Sequence, residues 1–170
     1  MRPTRSSLIT GIVAVTLLAG VPAAWAAHNA ANRGPASCTR DQLGVRSNGT
    51  NGAAGTVYGA WVFTNASDTT CTLDGYPDMQ LFGHGGRPIP TTVVQSLSPG
   101  PSLVTLQPGA SGTFRTSYST VSASPVPCKA SAVAQITAPN AGAPLYIPAV
   151  LQPCGGVVNV SAVRAGIHHA

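Results

Sequence analysis

The sequence predicts an all-β protein, an immunoglobulin-like β-sandwich of about seven or eight strands with two disulfides, preceded by a signal peptide. Three observations lead there. No window sustains apolar residues at the three- and four-residue spacing of a helix, Glu is absent and Lys129 is the single lysine. Short windows rich in Val, Thr, Phe and Tyr alternate instead with clusters of Gly, Pro, Asn and Asp. Four cysteines, Cys38, Cys71, Cys128 and Cys154, follow a leader of export type.

The leader comes first. Arg2 and Arg5 give a positive start, Leu8 to Val21 is apolar, and Ala24-Trp25-Ala26 has the small-x-small cleavage pattern. The uncharged stretch approaches the roughly 20 residues of a bilayer span. Pro22 and the small residues after it favour cleavage, after Ala26. The expected organisation is a signal peptide at 1–26, a flexible lead-in at 27–37, a β-sandwich domain at 38–163 and a flexible tail at 164–170. The expected product is secreted, extracellular at the cell envelope, with no stable membrane span after signal cleavage. Eight of the nine basic residues are Arg, and Ala, Gly and Pro abound, which is the usage of a GC-rich genome. With a bacterial-type leader this points to an actinobacterial source.

In an oxidising compartment four cysteines form two bonds, with three connectivities open. Sequential pairing, Cys38–Cys71 and Cys128–Cys154, closes loops of about 34 and 27 residues. In the chain-entropy model each such loop contributes roughly 3–4 kcal/mol.

The elements follow in order. Thr39 to Leu43 is the one short helical turn expected. Thr56 to Thr64 is the clearest strand, with Val57, Trp61 and Phe63 on one face. Asp78 to Phe82 is bounded by Gly75-Tyr76-Pro77 and by Gly83 to Gly86, and Thr91 to Val94 follows. Ser102 to Leu106 should meet Ser111 to Tyr118 across Gln107-Pro108-Gly109-Ala110, a turn in which Pro fixes φ and Gly tolerates positive φ. Phe114, Thr116 and Tyr118 alternate with Thr113, Arg115 and Ser117, giving one buried and one wet face. Ser131 to Thr137, Pro144 to Val150 and Val157 to Val163 complete the set. A true immunoglobulin domain is excluded, because Trp61 lies late after Cys38 and Cys71 follows too soon.

Three stretches carry a family likeness: Cys38-Thr39-x-x-x-Leu43, Trp61-x-Phe63-x-Asn65, and Thr70-Cys71-Thr72-Leu73-Asp74-Gly75-Tyr76-Pro77. With the later Leu106-x-Pro108-Gly109-x-Ser111 turn, they resemble the secreted actinobacterial domain of unknown function 4232 family. The resemblance spans about Cys38 to the last strand. It implies an all-β, disulfide-linked exported domain and supports pairing Cys38 with Cys71, and it implies no activity. In the third stretch, alternation buries Cys71 and Leu73 and turns Thr70 and Thr72 outward, before a turn at Asp74-Gly75.

The chain is 8% charged, against roughly 25% for an ordinary soluble domain, so acid–base chemistry has little material. A hydrolytic serine wants G-x-S-x-G at a strand-to-helix elbow; Gly109-Ala110-Ser111-Gly112 is one residue short. Asp74 and Asp78 could stand at glycosidase separation but read as turn formers, with no aromatic cleft beside them. His28, Met79, His84 and His168-His169 are the candidate metal ligands, yet Met79 and His84 face opposite sides of a strand and all four cysteines are expected to be bonded. No catalytic residue, cofactor or metal is therefore expected, and the protein should not be an enzyme. The basic residues Arg33, Arg40, Arg46, Arg87, Arg115, Lys129 and Arg164 are scattered without aromatic interleaving, which sets nucleic acid aside. The formal charge of +5 reflects scarcity of acids.

Two functions from different classes fit what is left. The first is a non-enzymatic, monomeric binding or interaction module of the cell envelope, contacting an extracellular protein or polymer through loops such as Gly83 to Gly100. The alternative is a small secreted protease inhibitor presenting Ser124-Pro125-Val126-Pro127-Cys128-Lys129 as its rigid loop.

Overall fold

A computed structural model describes residues 34–123 and 128–170. The signal peptide at 1–26 and most of the lead-in lie outside the described residues. The described chain forms twelve strands: β1 (Leu43–Ala53), β2 (Thr56–Asn65), β3 (Cys71–Leu73), β4 (Asp78–Phe82), β5 (Pro88–Ile89), β6 (Thr92–Gln95), β7 (Val104–Leu106), β8 (Ser111–Ser119), β9 (Val133–Thr137), β10 (Leu145–Pro148), β11 (Val157–Val160) and β12 (Arg164–Ala165). Three-residue 3-10 turns at Arg40–Gln42, His84–Gly86 and Cys154–Gly156 are the helical pieces among these residues.

The larger sheet runs β1-β2-β8-β11-β6, with β12 also paired to β8. Its spine is the β2–β8 ladder, in register from Thr56↔Ser119 to Thr64↔Ser111. Alternation along both strands aims Trp61, Phe63, Phe114 and Tyr118 at the core. Phe114 stacks on Phe63 at 5.2 Å and on Trp61 at 6.3 Å. The buried Trp61 Nε1 donates to Thr116 Oγ1 at 3.0 Å, so its one polar atom is satisfied. This contact requires Gly59, where a Cβ would stand 2.9 Å from Thr116 Oγ1.

The second sheet, β10-β9-β4-β5, supplies Met79, Leu81, Ile89, Ala134 and Ile136 to the same core. A two-stranded piece, β3 with β7, adds Leu73, Val104 and Leu106. All three join in one apolar cluster, which makes the molecule a sandwich. Cys38–Cys71 and Cys128–Cys154 are bonded, with Cα separations of 4.8 and 4.7 Å.

Asn65 locks the end of β2. It is fully buried on the core face, donating through Nδ2 to the carbonyls of Thr69 at 2.8 Å and Leu106 at 2.9 Å. Its Oδ1 accepts from Ser67 N at 3.0 Å and Ser67 Oγ at 2.7 Å. The amide thus has all four of its bonds inside the fold.

Several sequence expectations are corrected. β7 does not form a hairpin with β8 but pairs with β3. Both edges of β8 are occupied, by β2 on one side and by β11 and β12 on the other. The turn closed by Ala110 N donating to Gln107 O therefore carries the chain from one sheet to another. Thr72 is buried rather than outward, because residues 36–38 run alongside it: Thr72 N donates to Ala36 O and Cys38 N to Thr72 O, each at 2.9 Å. β1 was not expected at all. It is an edge strand whose inward residues are Leu43 and Val45, and its Asn- and Gly-rich remainder carries a pairing irregularity between Ser47 and Thr50. The two-residue turn to β2 holds Ala54 at φ 48 and Gly55 at φ 79, both positive as a twisted hairpin prefers.

The region from Val157 to Val163 is not one strand. It breaks at Ser161, whose Oγ accepts from Arg115 N at 2.9 Å while Ser161 N donates to Arg115 O at 2.8 Å, and pairing resumes as β12. Residues 164–170, expected to be a flexible tail, are bound. Thr113 Oγ1 donates to Gly166 O at 2.7 Å and accepts from His168 N at 3.1 Å, and Asn48 Nδ2 donates to His168 O at 2.9 Å. The C-terminus so crosses the outer face of the larger sheet from β8 to β1. No helix among the described residues is long and apolar enough to cross a membrane.

Candidate binding cleft

The outer face of the larger sheet is built in rows across β2, β8 and the strands beyond it. Tyr58 pairs with Ser117, and Ser117 with Asn159. One step along, Ala60 pairs with Arg115, which exchanges its two bonds with Ser161. In the third row Val62 pairs with Thr113, and Thr113 with Arg164. Cross-strand partners point to the same side of a sheet, so Arg115 and Arg164 lie on one face as diagonal neighbours.

Two walls rise from this floor. One is the segment Ser96 to Pro99 beyond β6, tied down by Ser96 N donating to Val160 O at 2.9 Å. The other is the bound C-terminus, with Arg164 and His168. Between them lies a cleft of about 610 Å3, within the range of small-ligand sites. Val62 is fully buried on this outer face, in the row that the C-terminus crosses.

Charge in the cleft has one sign. Side-chain carboxylates exist only at Asp41, Asp68, Asp74 and Asp78, and none lines it. The single ion pair among the described residues is Arg40–Asp41, at 3.2 Å on the surface. Arg164 gives one bond, from Nη2 to Gly100 O at 3.2 Å, and His168 Nε2 lies 2.9 Å from Ala165 O. The Arg115 guanidinium is exposed and makes no protein hydrogen bond among the described residues.

A second, smaller cavity of about 240 Å3 opens at the core near the β1 irregularity, lined by Trp61, Tyr118 and Leu151. Burial raises the Tyr118 phenol above its ordinary 10.0, an effect partly offset by a bond with the backbone of Gln152.

The residues singled out by sequence are dispersed. Asp78 is exposed on β4, its Oδ1 accepting from its neighbour Met79 N at 2.9 Å, and Asp74 is exposed in the turn before it. Met79 is buried in the core while His84 lies in a 3-10 turn outside it. Ser111 Oγ lies 2.9 Å from Thr64 Oγ1. No group of three or more His, Cys, Asp or Glu side chains is placed for a metal among the described residues. The stretch Gly83 to Gly100 contains the 3-10 turn His84–Gly86 and the short strands β5 and β6, and its last part forms the cleft wall. Of the inhibitor loop, Ser124–Pro127 lies outside the described residues; Cys128 at its end is bonded to Cys154. The sequence sets Arg115 on the wet face of its strand but leaves Arg164 in a tail, so it gives no sign that the two are neighbours.

The family model of a domain of unknown function (DUF4232) matches residues 38–166. It covers both cleft arginines and stops before His168. No curated protein and no solved structure matches.

Proposed function

The chain belongs to the family of this domain of unknown function, and from that premise we propose that it is a secreted, non-enzymatic module binding a ligand at the bacterial cell envelope. The observation that carries this reading is the cleft on the outer sheet face. It combines hydroxyls and an amide from Ser117, Ser161 and Asn159 with two guanidiniums and no carboxylate. Such a set holds and orients a ligand. General acid–base work needs paired proton donors and acceptors, and the four Asp stand elsewhere. Two disulfides support an oxidising compartment outside the cell.

The test is binding without turnover, on envelope polysaccharides and on ester, peptide and glycoside substrates. The reading expects retention on a polymer, abolished when Ser117→Trp fills the cleft, and no released product. Product that disappears on changing Asp74, Asp78, His84 or Ser111 would make the protein an enzyme. Retention untouched by Ser117→Trp would move the binding surface off the cleft.

A further inference from the structure

Resting on the binding reading, we infer that the cleft takes an acidic sugar, a pyranose carrying a carboxylate or phosphate, with Arg115 and Arg164 as its charge partners and Tyr58 as the platform for its ring. Four observations converge on this class of ligand.

The first is unpaired charge. Arg115 and Arg164 occupy diagonal positions of the sheet, about 7–8 Å apart at the backbone, and both line the cleft, whose lining holds no carboxylate. A fork of N–H donors in this position matches a planar or tetrahedral oxyanion. Among the described residues Arg115 leaves its whole fork unused, and Arg164 spends one donor on Gly100 O. An anion held by both neutralises two like charges and fills the donors.

The second is size. A cleft of about 610 Å3 is far larger than an inorganic anion, so the anionic group must be carried by a larger body. The third is Tyr58, near the start of β2, with 47% of its surface exposed at one side of the cleft. An aromatic face with a hydroxyl at its rim suits a ring that is apolar on its face and polar at its edge. The fourth is the remaining floor. Ser117 and Asn159 continue the Tyr58 row with a hydroxyl and an amide, groups that pair with sugar hydroxyls, Asn159 Nδ2 also giving one bond to Ser117 O. Together they place the ring over the Tyr58–Ser117–Asn159 row and the acid over the adjoining arginines.

Calorimetric titration of the protein tests this. The probes are a galacturonate trisaccharide, galacturonate and glucose 6-phosphate as single sugars, a neutral galactose trisaccharide, inorganic phosphate and single-stranded DNA. The acidic sugars should bind at least tenfold more tightly than the neutral trisaccharide. Arg115→Gln and Arg164→Gln should each weaken them by about tenfold, roughly 1.4 kcal/mol, with melting temperature unchanged. Arg164→Lys should restore part of the loss. Tyr58→Ala should weaken acidic and neutral sugars alike, and Tyr58→Phe neither. A trisaccharide that binds more tightly than galacturonate points to a polymer as source, and equal affinity to a free sugar acid. Equal binding of acidic and neutral sugars overturns the charge argument while leaving a binding module in place. Phosphate or DNA binding as tightly as the uronate, or no probe binding, overturns the inference. In that last case the binding module survives only if an envelope polymer is still retained and Ser117→Trp abolishes it.

Discussion

Strand β8 presents two faces built under different constraints. Phe114, Thr116 and Tyr118 face inward onto Trp61, Phe63 and the second sheet, where packing fixes each identity. Thr113, Arg115 and Ser117 face outward, and their surroundings come from Arg164, Ser161 and Asn159, more than 40 residues further along. The inner face is a matter of alternation within one strand. The outer face exists only once distant segments are in register. The inner face therefore carries most of the stability, and the exposed positions of the outer face, Arg115 first among them, are free to carry recognition.

Adjacent substitutions should separate the two most sharply. Phe114→Ala should lose about 3–5 kcal/mol, since it removes a ring stacked on two others in a closed core. Arg115→Ala, one residue on, should stay within about 0.5 kcal/mol of the parent protein. Urea unfolding measured on both variants decides it, and similar losses would mean that both faces of β8 carry the fold alike. Asn65→Leu comes next, at about 3 kcal/mol, because the carbonyls of Thr69 and Leu106 and the Ser67 donors lose buried partners. The same measurement reads it, and a Leu tolerated there would mean that water replaces the amide.

The legibility of the sequence followed the same division. β2, β4, β8 and β9 were readable because alternate residues of each join the apolar core, Trp61 and Phe63 in β2, Met79 and Leu81 in β4, Phe114 and Tyr118 in β8, Ala134 and Ile136 in β9. β1 was not, because an edge strand with only Leu43 and Val45 turned inward is mostly Asn, Gly and Ser and resembles a loop. The partner of β7 was misjudged because a Pro-Gly turn reads as a hairpin whatever the chain does next. Of the cleft, the outward setting of Arg115 was legible. Its union with Arg164 was not, since β12 is two residues long and is held by Thr113, Gly166 and His168 rather than by any pattern of its own. In the quoted family string, Trp61, Phe63 and Asn65 prove to be core and lock residues, so the likeness reports on folding and not on the cleft.

Thr113→Val acts at the seam between the two faces. It keeps the shape and removes the hydroxyl that holds the C-terminus, and should destabilise by about 1–2 kcal/mol. Hydrogen exchange should show faster loss of protection at His168 than at Phe114; equal acceleration at both would mean that the two faces unfold as one.

The smallest effect belongs to Tyr118. Its folded-state value is raised, so ionisation favours the unfolded chain. Stability should be fully present below the ordinary 10.0 and be lost as pH rises from there through the folded value. Urea midpoints followed upward from pH 10 should fall less in Tyr118→Phe than in the parent. An identical fall would assign the alkaline loss to other groups.

The division of labour between the two faces is tested most directly by amide NMR spectra recorded as the galacturonate trisaccharide is added. Shifts are expected at Tyr58, Arg115, Ser117, Asn159 and Arg164, with Phe63, Phe114 and Ile136 unmoved. Shifts centred instead on Trp61, Tyr118 and Leu151 would place binding in the smaller core cavity and contradict that division.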